Sequence, residues 1–169
     1  TQDEIMNFIK AGGPDGKGPR YKELTKVEIE QEIQHFVEAA KRAKMANFDA
    51  VEIHAGHGYL ISSFLSPAVN KRNDEYGGSP ENRARLLVEI IAEIKREVSD
   101  LPIIVRLDAN EYRIENGITP EDFILTATMA QNAGADAIDV SAYGNTSKGI
   151  AFTEAPLVHE PGGFINFAK

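Results

Sequence analysis

Cysteine is absent from the 169 residues, which excludes a disulfide framework, a thiol nucleophile and a thiolate-held iron–sulfur cluster within this stretch. Positive charge is scarce: 18 Lys and Arg stand against 26 Asp and Glu, for a net charge of -8. Such a balance repels nucleic acid and anionic membrane surfaces, so neither is expected as a partner, despite the local basic trio Lys41, Arg42 and Lys44. No apolar run approaches the roughly 20 residues needed to cross a bilayer. The first residues also lack the basic, apolar and small-residue order of a signal peptide, so the expected location is cytoplasmic. What remains is ordinary globular material, 42% hydrophobic and 26% charged, enough for one domain or part of one.

The first two dozen residues hold Gly12, Gly13, Pro14, Asp15, Gly16, Gly18 and Pro19, which break any regular period and predict a loop-rich lead-in over 1–24. Thr25 followed by Glu28 is a capping-box spacing, and Ile29, Ile33, Phe36, Val37 and Ala40 then recur at helical intervals. The pattern predicts a helix over 26–46, closed by Asn47 in the left-handed conformation. Phe48 to His54 alternates as a strand would, with Val51 and Ile53 on one face and Glu52 and His54 on the other. A second helix is punctuated by Ser79 as N-cap and Pro80 at its first position, with Leu86, Leu87, Ile90, Ile91, Ile94 and Val98 as its apolar stripe. Pro102 to Ala109 reads as the next strand, with Ile103, Val105 and Leu107 facing one way and Ile104, Arg106 and Asp108 the other. A third helix starts at Thr119 and Pro120, is expected to bury Phe123, Ile124, Ala127 and Ala130, and stops at Gly134 before a strand over 136–141.

Helix and strand alternate, which argues for parallel strands joined by helical crossovers. Each strand has one aliphatic face suited to a helix layer, whereas the other carries Glu52, His54, Arg106, Asp108, Asp139 and Ser141. A doubly covered open sheet should be apolar on both faces, so the pattern favours a barrel. A complete barrel needs eight units and about 250 residues, so the expected fold is α/β, a partial (β/α)8 TIM barrel of three to four central units. The βα core is read over 25–145, with a strand-end loop over 146–169.

Function in such folds collects at the C-terminal ends of the strands. The segment from Ala55 to Gly78 is far longer than a usual strand-to-helix connection and opens with His54, Ala55, Gly56, His57, Gly58 and Tyr59. Three readings are open. His54 and His57 could hydrogen-bond loop backbone while Tyr59 packs. They could ligate a metal together with Glu52 or Asp108, although the spacing is not that of a helical zinc site. Or both imidazoles could donate to a carbonyl oxygen as charge develops there, with Tyr59 as general acid.

The run VEIHAGHGYLISSFLSPAVNKRNDEYGGSPENRARLLVEII, Val51 to Ile91, resembles the signature region of the old yellow enzyme family of flavin oxidoreductases. His-x-x-His-x-Tyr, FLSP, Asn-x-Arg, DEYGGS and ENR follow in order and spacing, and the flanking LTKVEIEQEIQHFVEAAKRAKMANFDA and PIIVRLDA also fit, so the resemblance covers about residues 20–145. It implies an FMN-binding barrel with the present strands near the fourth to sixth. By this resemblance His54 and His57 correspond to the pair that binds the acceptor oxygen of an activated alkene, and Tyr59 to the proton donor. Arg106 corresponds to the arginine beside the flavin's pyrimidine edge, its alternative role being a salt bridge to Asp108 or Glu52 inside the barrel. Asn70, Arg72, Asp74, Tyr76, Gly77 and Gly78 are assigned to folding the long loop, and Arg83 and Arg85 to clamping it or facing solvent.

The implied reaction is of ene-reductase type: NAD(P)H reduces FMN, and hydride then passes to the β-carbon of a small-molecule activated alkene. The resemblance also implies that FMN phosphate is held by loops after the seventh and eighth strands, beyond the segment read here. The chain is therefore expected to be a central fragment of a larger enzyme, inactive by itself and prone to self-association through exposed barrel edges. The competing expectation is a barrel piece serving as an assembly module without cofactor.

Overall fold

The computed structural model describes residues 22–144 and Ala168. The expected lead-in before residue 22 and the expected strand-end loop over 146–169 lie outside the described residues, Ala168 excepted. The chain divides into two units, Thr1–Glu30 and Gln31–Lys169.

In the first unit Thr25 and Glu28 form the reciprocal cap that their spacing predicts. The Glu28 carboxylate accepts the Thr25 backbone N–H at 2.8 Å, and the Thr25 hydroxyl accepts the Glu28 N–H at 3.3 Å. A further hydrogen bond from Lys22 is the first cause, before those from Thr25, that holds the Glu28 carboxyl down to about 2. Helix α1 runs Lys26–Met45 from this cap. Asn47 ends it at φ 60°, as expected.

In the second unit the order continues as β1 (Val51–His54), α2 (Leu60–Leu65), α3 (Pro80–Glu97), β2 (Ile103–Tyr112), α4 (Pro120–Ala133) and β3 (Ala137–Gly144). The three strands form one parallel sheet in the order β1-β2-β3. β1 starts at Val51, because residues 46–50 are spent on the turn out of α1 and Phe48 is left exposed. β2 and β3 each run three residues beyond the expected ends and stay paired to Tyr112 and Gly144, with a register shift between Asp108 and Glu111. Such irregularities re-aim side chains at strand ends.

The apolar stripes become the core. Ile33, Val37 and Ala40 of α1 are buried, as are Leu86, Leu87, Ile90, Ile91 and Ile94 of α3 and the aliphatic face of β2, Ile103, Val105 and Leu107. Fully burying one such side chain contributes roughly 1.5–3 kcal/mol, so this layer dominates the stability of the unit. Ser79 caps α3 through the Asn82 N–H, and Thr119 with Asp122 forms a capping box on α4, each followed by its proline. Gly134 closes α4 in the left-handed region at φ 115°, a conformation that a Cβ disfavours. The expected stripe of α4 needs one correction. Phe123, Thr126 and Ala130 are buried, but Ile124 is 62% exposed and Ala127 half-buried. Against β2 and α3 the helix presents a narrow 3.6-period face, and position 124 falls about 100° off it.

Candidate active site

His54 closes β1, His57 and Tyr59 follow it in the connection, and the arginine singled out by the sequence lies at the same level within β2. His54 is the last residue of β1 and pairs in register with Arg106 of β2, which pairs with Asp139 of β3. One level further on, Asp108 pairs with Ser141. Positions on this face therefore line up across three strands at the first level and across β2 and β3 at the next.

After His54 the chain turns sharply. His57 adopts φ 62°, a left-handed conformation that costs a residue with a Cβ roughly 1–2 kcal/mol. Its backbone N–H donates to Asp108 Oδ2 at 2.6 Å, and its ring Nε2 lies 2.6 Å from Ser141 Oγ and 3.6 Å from Asp108 Oδ1. Asp108 and Ser141 are 2% and 1% exposed. Gly56 makes room for this arrangement, since a Cβ there would meet Asp108 Oδ1 at 2.8 Å. The His54 and His57 rings are 4.9 Å apart, edge to face, and the Tyr59 ring is 5.3 Å from His54. Tyr59 is 65% exposed and stands at the N-terminus of α2, where its side chain makes no cap. The Tyr143 ring stacks on His57 at 6.5 Å.

Arg106 is half-buried on the same face, its Nε 3.4 Å from the Asp139 carboxylate. Asp139 is a partner that the sequence reading, which offered Asp108 or Glu52, did not name. Among the described residues no group of three or more His, Cys, Asp or Glu is arranged to hold a metal ion.

The rest of the long connection fastens itself. Asn70 donates to the carbonyls of Phe64 and Tyr76, and Arg72 pairs with Asp74 at 2.6 Å. Arg83, 7% exposed, is a clamp: its guanidinium donates to the carbonyls of Leu65 and Gly78 and to Asp122. Arg85 donates to the Glu75 carbonyl. The paired glycines serve different ends. Gly78 has φ 82° with open space around it, whereas a Cβ on Gly77 would lie 2.3 Å from the Arg72 carbonyl oxygen. Glu111, buried on β2 past the register shift, accepts the Ser66 hydroxyl at 2.6 Å and the Ile118 N–H at 2.8 Å, joining the connections after β1 and β2.

Sequence reasoning gave no role to Glu111 or Ser66, placed Ser141 only on the inner face, and offered Asp108 as a metal ligand or a partner of Arg106 but not as the holder of His57. Their partners are 45, 51 and 84 residues away, so no local pattern could announce them.

Residues 9–150 match the NADH:flavin oxidoreductase / NADH oxidase family. The chain belongs to this family. Among relatives in this flavin oxidoreductase family, the NADPH dehydrogenase of Geobacillus sp. (strain WCH70) is 54% identical over 120 residues, 71% of this chain and 35% of that protein. The NADPH dehydrogenase of Bacillus subtilis (strain 168) is 44% identical over 147 residues, 87% of this chain and 41% of that protein. The chain thus spans roughly two fifths or less of the curated relatives it matches. A 2-naphthoyl-CoA reductase in complex with 2-naphthoyl-CoA superposes with a TM-score of 0.78 at 40% identity, over 87% of this chain and 22% of that one. The old yellow enzyme homologue from Zymomonas mobilis superposes with a TM-score of 0.63 at 32% identity, over 77% of this chain and 38% of that one. The three strands and the helices between them are accordingly part of a flavin oxidoreductase barrel. No helix among the described residues is long and apolar enough to cross a membrane.

Proposed function

We propose that this chain forms part of an FMN-dependent NAD(P)H oxidoreductase of ene-reductase type, acting on a small-molecule activated alkene. The observation that carries the reading is the meeting of two imidazoles and an exposed phenol at one strand end, beside an arginine paired in register with the first imidazole. The donor set fits a flavin. Arg106 offers a cation whose side chain is a third exposed, suited to the electron-rich edge of a planar ring, with the histidines and Tyr59 at the same mouth for a second molecule. When bound, FMN would accept hydride from NAD(P)H and supply it to the β-carbon of the alkene.

The remaining work falls to the chain's own side chains. His54 and His57 bind the oxygen of the activating group and donate to it more strongly as negative charge grows there, which lowers the barrier and does not merely tighten binding. Tyr59, held in the open beside them, delivers its phenolic proton to the α-carbon. Arg106 anchors and neutralises the cofactor's edge, and Asp139 orients the guanidinium.

The test is anaerobic mixing of the whole protein with NAD(P)H and then with cyclohex-2-enone, following the visible flavin bands. Bleaching by the nicotinamide and recovery by the enone are expected, and Tyr59→Phe should slow recovery by about 10²–10⁴-fold. Bands that bleach but never recover with enone, or recovery untouched in Tyr59→Phe, would refute the assignment.

A further inference from the structure

We infer that Asp108 and Ser141 are positioning residues that together set His57 in place, Asp108 through the backbone and Ser141 through the ring. The inference rests on the proposed role of His57 and adds residues that this role requires. His54 needs no such help, because it ends a regular strand and its direction follows from the ladder with β2. His57 sits three residues further on, in a left-handed backbone conformation outside any strand or helix. A carboxylate that accepts its N–H at 2.6 Å supplies a charge-assisted bond where the turn is least favourable. The acceptor is rigid as well as charged: Asp108 is 2% exposed, lies in the β2 ladder opposite Ser141, and meets the Cα of Gly56 so closely that a Cβ would come within 2.8 Å. Ser141 Oγ then meets the ring at Nε2 at 2.6 Å, and its hydroxyl can donate to that nitrogen, which leaves the ring hydrogen on Nδ1 for an acceptor oxygen. The other Asp108 oxygen lies 3.6 Å from the same Nε2. Backbone and ring angle of one proposed donor are thus held by two side chains that are themselves buried.

The experiment uses the whole protein with its flavin bound, labelled with 15N-histidine and assigned by the signal lost in His57→Gln. In Asp108→Asn, which keeps the shape and an acceptor oxygen but removes the charge, the His57 amide proton should move upfield and exchange with solvent roughly tenfold faster, as a weaker bond predicts. Ser141→Ala should shift the His57 ring nitrogens while leaving the His57 amide in place. Enone-driven flavin recovery should fall about 10–100-fold in Asp108→Ala and partly return in Asp108→Asn, the cost of a misplaced donor. An unmoved His57 amide in Asp108→Asn, or ring nitrogens unmoved in Ser141→Ala, would overturn the inference even if Asp108→Ala failed to fold. If the spectra shift as expected but His57→Gln leaves enone reduction intact, the positioning stands and the functional reading of His57 fails.

Discussion

The two ends of the connection between β1 and α3 are held in opposite ways. Its first residues, Ala55 to Tyr59, are held from outside: Asp108 of β2 and Ser141 of β3 grip His57 from 51 and 84 residues away. The stretch from Asn70 to Gly78 is held largely by itself and its immediate neighbours, through Asn70, Asp74 and Arg83, over spans of 2 to 18 residues. The residues proposed for chemistry sit where the tertiary grip is, and the loop's architecture where the local grip is. Asp108 and Glu111, three residues apart on β2, both reach far along the chain, one holding the histidine and the other joining two loops through Ser66 and Ile118.

Breaking the local grip should damage stability first. Arg83→Ala strands two carbonyls and leaves Asp122 without its 2.9 Å partner, and should cost about 3–4 kcal/mol in urea unfolding. Gly77→Ala should cost a similar ~3 kcal/mol, because its new methyl meets backbone, while Gly78→Ala should cost only about 1 kcal/mol of conformational strain. The order of the two glycine variants by thermal melting is the discriminating result. Reversal would mean that the close approach at Gly77 relaxes freely.

A smaller effect is expected at Tyr76, whose hydroxyl donates to Glu89 at 2.8 Å, with Tyr76→Phe costing about 1 kcal/mol. Burial first, and then that hydrogen bond, push the Tyr76 phenol above its ordinary value. The folded state therefore keeps a proton that the unfolded chain gives up, so this contribution is whole below about pH 10 and is lost as pH rises beyond it. Tyr76→Phe should flatten that alkaline limb of the stability curve.

The smallest effect is at Asp136. Hydrogen bonds from Lys95 and then from the Ile103 N–H hold its carboxyl below the usual range. A lowered folded value gives stability that is present above the unfolded carboxylate's titration near pH 3.9 and is lost on acidification. With Asp136 half exposed, the contribution is screened to below about 1 kcal/mol, and Asp136→Asn should trim only the acid limb.

Much of this organisation is legible in the sequence because much of it is local. The caps at Thr25, Ser79 and Thr119 and the stop at Gly134 each involve residues within one turn, and alternation places Ile103, Val105 and Leu107 inside. α2 escapes notice for a physical reason. It has six residues, no side-chain cap, and an apolar run of the kind any buried segment shows. The identities of His54, His57, Tyr59 and Arg106 stand out in the sequence, but the grip on His57 does not, because acceptor and donor meet only when the sheet forms. Ile124 illustrates the converse: an apolar residue one step off the stripe reads as core and lies in the open.

The most direct test of the central claim is the rate at which cyclohex-2-enone reoxidises the flavin-reduced whole protein, compared between wild type and the double variant His54→Ala, His57→Ala. Loss of both donors to the developing negative charge should slow this step by about 10³-fold or more, whereas a rate within about threefold of wild type would contradict the assignment of the two histidines as the oxygen-binding pair.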